Sequence, residues 1–154
     1  MNVATFLEEH RCWYEHVLHH PTYSAQRLAH ELHVPGREVA KTVLVRTNGR
    51  GKFAVAVLPA NRKIDFERVS KLVGKDKSEL ATESEIAQHF SDCEFGALPP
   101  FGSQYGMKTI VDSSLAEDEE IVFESNTHHE AIRMRFDEFR KLEHPLIAPI
   151  AAKE

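Results

Sequence analysis

The chain reads as a mixed α/β (α+β) fold, a single domain over residues 1–154 built on a mixed, largely antiparallel sheet or partial barrel with helices packed outside. Three observations lead there. Short apolar runs of strand character alternate with stretches of helical period, Thr47-Asn48-Gly49-Arg50-Gly51 marks a hairpin between two such runs, and no repeat, linker or low-complexity segment divides the chain. With 42 % hydrophobic and 28 % charged residues, the chain can bury one core and does not read as disordered.

Asn2 to about His10 places Val3, Phe6 and Leu7 at helical spacing and predicts a short opening helix. Trp13 to Leu18 alternates as a strand. Ser24 can cap a helix to about Leu32, with Ala25, Leu28, Ala29 and Leu32 on one face, ended by Val34-Pro35-Gly36. Lys41 to Arg46 and Phe53 to Leu58 are the two hairpin strands. Asp65 is an N-cap for a helix through Phe66, Val69, Leu72 and Val73, closed by Gly74, and a second helix runs from about Glu83 to Phe90. Strands follow at Thr109 to Asp112, Glu120 to Glu124 and Ala131 to Phe136, the last alternating Ile132, Met134 and Phe136 against Arg133 and Arg135. A helix from Asp137 to about Leu142 closes the fold.

The formal net charge is -5, yet it is unevenly spread: residues 27–77 hold 12 Lys/Arg against 5 Asp/Glu, and residues 78–154 hold 6 against 16. The first block is either a local basic patch for phosphate or a differently charged solvated face. Cys12 and Cys93 form no CxxC pair, so neither a disulfide framework nor a zinc finger is indicated, and a reducing, cytoplasmic setting fits. The first residues lack the basic start and apolar core of a secretion signal, and no apolar run approaches the roughly 20 residues of a membrane span.

Gly96-Ala97-Leu98-Pro99-Pro100-Phe101-Gly102-Ser103 carries two glycines, two prolines and an aromatic with no charge. It reads either as a rigid ligand wall with backbone amides held in place, or as a proline turn between a helix and a strand. Lys41 shares a strand face with Val43 and Val45, so its ammonium either meets an anionic partner or lies along the strand end with its head in water. Asn126-Thr127-His128-His129 sits between two strands and offers a turn former, a hydroxyl and two imidazoles near Glu124 and Glu130. His10, His16, His19 and His20 have no spacing that gathers a ligand set, so no metal is expected. With no GxSxG elbow, P-loop or GxGxxG, and no partner beside either cysteine, covalent catalysis is not supported.

Ala40-Lys41-Thr42-Val43-Leu44-Val45, then Val57-Leu58-Pro59-Ala60-Asn61-Arg62-Lys63-Ile64-Asp65, then Gly96 to Gly102, stand in an order and spacing that resemble the YbaK/ProX family of aminoacyl-tRNA deacylases, related to the editing domain inserted in bacterial prolyl-tRNA synthetases. Tyr23-Ser24-Ala25-Gln26, Val34-Pro35-Gly36 and Thr127-His128 through Met134 extend the resemblance over nearly the whole chain. The resemblance implies a freestanding hydrolase for the ester joining a wrong, small amino acid to the terminal adenosine of tRNA, with no cofactor, metal or covalent intermediate. Its partners would be the aminoacyl-tRNA acceptor end and an aminoacyl-tRNA synthetase, not a membrane. A non-catalytic tRNA- or synthetase-binding module of the same fold is the alternative, and a small-molecule esterase a third. Lys41, Gly102 and His128 are the catalytic residues the resemblance implies, with Tyr23, Pro99, Pro100, Phe101, Ser103, Asn126 and Thr127 against the substrate. Asn126 departs from the glycine often found before the Thr-His pair, although asparagine tolerates left-handed backbone angles.

Overall fold

In the computed structural model, which describes residues 1–47, 52–73 and 77–152, helix α1 (Val3–Glu9) and strand β1 (Glu15–Leu18) lead into α2 (Ala25–Glu31) and the hairpin β2 (Ala40–Thr47) and β3 (Lys52–Pro59). Next come α3 (Phe66–Val73), β4 (Glu79–Leu80), α4 (Glu83–His89) and β5 (Lys108–Asp112). The chain continues through β6 (Glu120–Ser125), β7 (Thr127–Arg135), α5 (Phe136–Glu143) and β8 (Leu146–Ala148).

These strands make two sheets, β1-β7-β6 and β4-β2-β3-β5-β8, which do not close into a barrel. The three-stranded sheet is antiparallel throughout, and β2 pairs with β3 antiparallel from Ala40↔Pro59 to Thr47↔Lys52. The mixed, largely antiparallel arrangement expected from the sequence is found, its parallel part being the β3–β5 and β5–β8 pairs of the larger sheet. Parallel neighbours need a crossover of a dozen residues or more, and the segment carrying α3, β4 and α4 supplies one between β3 and β5. The central position of β3 also explains why its run is apolar without alternation, since every residue from Ala54 to Pro59 is buried.

One core cluster joins Phe6 and Leu7 to Leu44, Val55, Phe101, Phe123, Ile132 and Phe139, so the two sheets and α5 share it. A second packs Leu28 and Ala29 of α2 on Val39, Val122 and Ala131, and a third packs Val69 of α3 on Val45, Ala54, Ala56 and Ile110. The bridge Val39↔Val122 draws the start of β2 to β6, which brings the two sheets together where the candidate site forms.

Local signals account for most boundaries. Asn2 and Ser24 accept from the amides of Thr5 and Arg27, and Asp65 Oδ1 accepts from Glu67 and Arg68 at 3.1 and 3.2 Å. The hairpin residues 48–51 and Gly74 lie outside the described residues. Trp13 precedes β1 and is 54 % exposed, whereas β7 begins at Thr127, four residues before the expected Ala131. The reason is the tight reversal at Asn126, whose φ of 70° lets Ser125 face Thr127 directly.

Two edge strands, β4 and β8, are too short to carry a pattern. The N-terminus of α4 did carry one, since Thr82-Glu83-Ser84-Glu85 is a capping box: Glu85 N donates to Thr82 Oγ1 at 3.1 Å and Thr82 N to Glu85 Oε1 at 2.9 Å. Thr82→Ala is expected to cost about 1 kcal/mol, read as a lower urea midpoint at unchanged slope.

Candidate active site

Strand β2 pairs with β3 along its length but with β4 only at Val45 and Arg46, so its outer edge at Ala40–Val43 has no strand beside it among the described residues. The start of α2, the end of β6 and the turn Gly96–Leu98 close around that edge. They leave a cleft of about 250 Å³ bounded by Ser24, Ala25, Leu28, Lys41, Thr42, Val43, Gly96, Leu98 and Glu124. Two larger hollows exist, one of about 460 Å³ at the opposite end of the hairpin with Lys52 and Lys108, and one of about 920 Å³ along residues 21–31. Their charged side chains are exposed, and the smaller cleft is where partly desolvated charges meet.

Lys41 and Glu124 are the two charged residues of the cleft. Burial lowers the Lys41 pKa, and the nearby charge of Lys63 lowers it further; among the described residues no carboxylate pairs with it. An ammonium half withdrawn from water without a counterion is a receptor for an anion or a polarised carbonyl. Elsewhere in the basic block, Arg46, Arg62, Arg68 and Lys71 are each paired with carboxylates, so its charge is not one patch.

The turn opposite carries the amides. Ala97 N donates to Glu94 O at 3.0 Å, while the amides of Gly96 and Leu98 have no acceptor among the described residues. Gly96 is held at φ +87°, and a Cβ there would lie 3.3 Å from His128 Cε1, so both backbone angle and space favour glycine.

His128 is 7 % exposed and holds this turn from behind. Its Nε2 faces Phe95 O and must carry the proton that a carbonyl accepts; its backbone amide donates to Glu94 Oε1 at 3.0 Å. Nδ1 lies 3.1 Å from Glu124 Oε2, within pairing distance but off the line a hydrogen bond needs. Both ring nitrogens therefore point into the protein, and His128 positions the turn and Glu124. His129 is exposed and points away, 4.0 Å from Glu94. Burial pushes the Glu124 carboxyl up to about 7, against the pull of His128.

The other residues expected at the site from the sequence do not line the cleft. Tyr23 is 75 % exposed, its ring tilted against that of His128 at 4.9 Å between centroids, and Phe95, 59 % exposed, meets the same imidazole through its carbonyl oxygen. Pro99 and Pro100 are buried, and Phe101 lies in the core. Gly102 N donates to Thr109 Oγ1 at 2.9 Å and Ser103 N to Glu143 Oε2 at 3.0 Å, so those two amides are already engaged. Asn126 turns its side chain to the N-terminal segment, donating to Met1 O at 2.8 Å and accepting from Val3 N at 3.3 Å, and Thr127 Oγ1 donates to Glu130 at 2.9 Å. The structure thus brings together Lys41, Gly96, Leu98 and Glu124, with His128 and Tyr23 at one end. Gly96 and Leu98 belong to the loop that the sequence offers as a ligand wall, whereas Glu124 was missed; a glutamate directly following the apolar run Ile121-Val122-Phe123 was the available signal.

Burial and Glu138 push the Cys12 thiol up to about 11, which keeps it protonated at neutral pH. Among the described residues no helix is long and apolar enough to cross a membrane, and no three His, Cys, Asp or Glu side chains gather to hold a metal ion.

The aminoacyl-tRNA editing domain family matches residues 19–142. The chain belongs to that family. It is 26 % identical over 102 residues to the multifunctional Ser/Thr-tRNA deacylase ProXp-y of Escherichia coli strain K12, covering 66 % of this chain and 60 % of that protein. It is also 28 % identical over 92 residues to the proline–tRNA ligase of Thermosipho africanus, covering 55 % of this chain and 16 % of the ligase. The chain thus spans 60 % of the deacylase and a small part of the ligase it matches. The editing-domain fold is shared with a crystal structure described as a candidate trans-editing enzyme for prolyl tRNA synthetase, at a TM-score of 0.84 and 18 % identity over 98 % of this chain and 95 % of that one. A hypothetical protein of known structure has the same fold, at a TM-score of 0.88 and 17 % identity over 97 % and 99 % of the two chains.

Proposed function

We propose that the chain is a trans-editing deacylase that hydrolyses the ester of a small amino acid mischarged on tRNA. The observation that carries this reading is the cleft itself. A half-buried Lys41 that pairs with no carboxylate among the described residues lines one small cavity with Gly96 and Leu98, whose amides have no acceptor among those residues, in a chain of the editing-domain family.

Ester hydrolysis adds water to the carbonyl carbon, passes through a tetrahedral oxyanion, and expels the ribose hydroxyl. Donors fixed before the reaction stabilise that oxyanion, and each is worth ~10²–10³ in rate. Lys41 and the turn amides supply such donors, and the vicinal hydroxyl of the terminal ribose helps activate water, as the family resemblance implies. Phe101 and the Gly102–Ser103 end of the loop act by holding the turn, and Asn126 and Thr127 by shaping the reversal that presents His128. The exposed ring of Tyr23 beside His128, and the exposed ring of Phe95, offer stacking faces to the unpaired bases of the acceptor end. The reaction takes place in the cytoplasm, where charged tRNA and its synthetases are met.

A panel of tRNAs charged with alanine, serine, threonine or cysteine tests the reading. Release of at least one of them about 10²-fold faster than without protein is expected. Binding of tRNA with no release across the panel would establish a binding module instead, and turnover of simple esters alone would establish a small-molecule esterase.

A further inference from the structure

The mechanism above leaves one buried charged group of the cleft unused. Glu124 extends the face of β6 that begins with Val122, toward α2, and is 7 % exposed although it borders the cleft. Neither of its carboxyl oxygens takes part in a hydrogen bond among the described residues, Oε2 being buried beside His128 Nδ1 but misaligned with it. A buried carboxyl whose one close polar neighbour is a misaligned imidazole is costly and rare. It is the cleft's acid, as Lys41 is its base, and the two do not pair with each other.

We propose that Glu124 receives the α-ammonium of the aminoacyl group, so that the cleft accepts esters whose amine is free and refuses those whose amine is acylated. The inference rests on the deacylase reading and adds a specificity residue to it. An aminoacyl ester on a nucleotide is cationic at the amine and anionic at the phosphate and at the developing oxyanion. A cleft with separate carboxyl and ammonium groups matches that pattern from both ends. An N-acyl amide carries no positive charge and has a single N–H, so Glu124 would be left buried against a bulky neutral group, which penalises the wrong ligand. Glu94 and His128 are the other titratable groups facing this carboxyl, and neither occupies the cleft.

The test uses a ligand that cannot be hydrolysed, 3′-alanylamino-3′-deoxyadenosine, and its N-acetyl derivative, with binding measured by calorimetry. Wild-type protein is expected to prefer the free amine by at least about tenfold. Glu124→Gln is expected to bring the two within about twofold, and Glu124→Asp to restore part of the preference. The same collapse is expected in the ratio of kcat/KM for alanyl-tRNA and N-acetylalanyl-tRNA. A wild-type protein that hydrolyses both tRNAs equally, or a Glu124→Gln variant that keeps the wild-type ratio, overturns the role of Glu124 and leaves the deacylase reading intact. Preference for the free amine without hydrolysis of any ester overturns the deacylase reading and leaves amine recognition standing. Because the wild-type comparison needs no variant, the inference is decided even where Glu124→Gln folds poorly.

Discussion

Lys41→Met is expected to lower kcat/KM for ester hydrolysis by at least about 10²-fold without lowering the melting temperature at pH 7. Methionine keeps most of the unbranched stem, on the strand face shared with Val43, and removes the charge. The two halves of the prediction have the same cause. Burial and Lys63 disfavour the protonated form of Lys41 in the fold, so the folded state holds that proton less tightly than the unfolded chain does. A depressed lysine pKa means that stability rises as pH climbs through the folded-state value toward the ordinary one; at neutral pH the charged side chain is a burden to the fold. Removing it therefore relieves the structure while disarming the cleft. Hydrolysis assays paired with thermal melts at pH 7 check both halves, and a Lys41→Met protein that turns over at the wild-type rate would remove Lys41 from the mechanism.

Phe101→Ala is expected to destabilise the protein by about 3–5 kcal/mol, or about 10 °C in melting temperature. The ring has no exposed surface and meets Phe6, Phe123 and Phe139 edge to face at 5.4, 5.9 and 5.3 Å between centroids. These contacts tie the proline-glycine loop to α1, β6 and α5 at once, and aromatic pairs of this geometry contribute beyond the area they bury. Phe95→Ala, removing a mostly exposed ring, is expected to change stability by less than about 0.5 kcal/mol. Urea unfolding of the two variants side by side gives the comparison. A loss below about 1 kcal/mol for Phe101→Ala would show that the prolines, not the ring, anchor the loop.

Periodicity was a good guide wherever one side of an element faces solvent. The alternation of Ile132 and Met134 with Arg133 and Arg135, and the cap residues Ser24 and Asp65, placed β7, α2 and α3 on the correct elements because each reports a local constraint. The antiparallel pairing of β2 with β3 was legible from the hairpin signal, but the parallel pairing of β3 with β5 was not, since a long crossover brings them together and a strand buried on both faces looks the same in either direction. In the candidate site, Lys41 was legible as a cation among apolar neighbours. Glu124 was not, because a carboxylate at the end of an apolar strand gains meaning only when α2 and the turn at Gly96 fold over it. The proline-glycine loop was recognised as one feature, yet its two ends serve different purposes. Its first residues border the cleft, whereas the amides of Gly102 and Ser103 go to Thr109 and Glu143.

Glu143 binds that far end through three donors, the Ser103 amide and hydroxyl and the Thr109 hydroxyl, while His128 grips the near end through Phe95 O. A segment clamped at both ends is a poor door. On the deacylase reading the cleft is formed before the ester enters it, and choice among amino acids would work as a fixed gauge, set by whether a side chain fits beside Leu28 and Leu98.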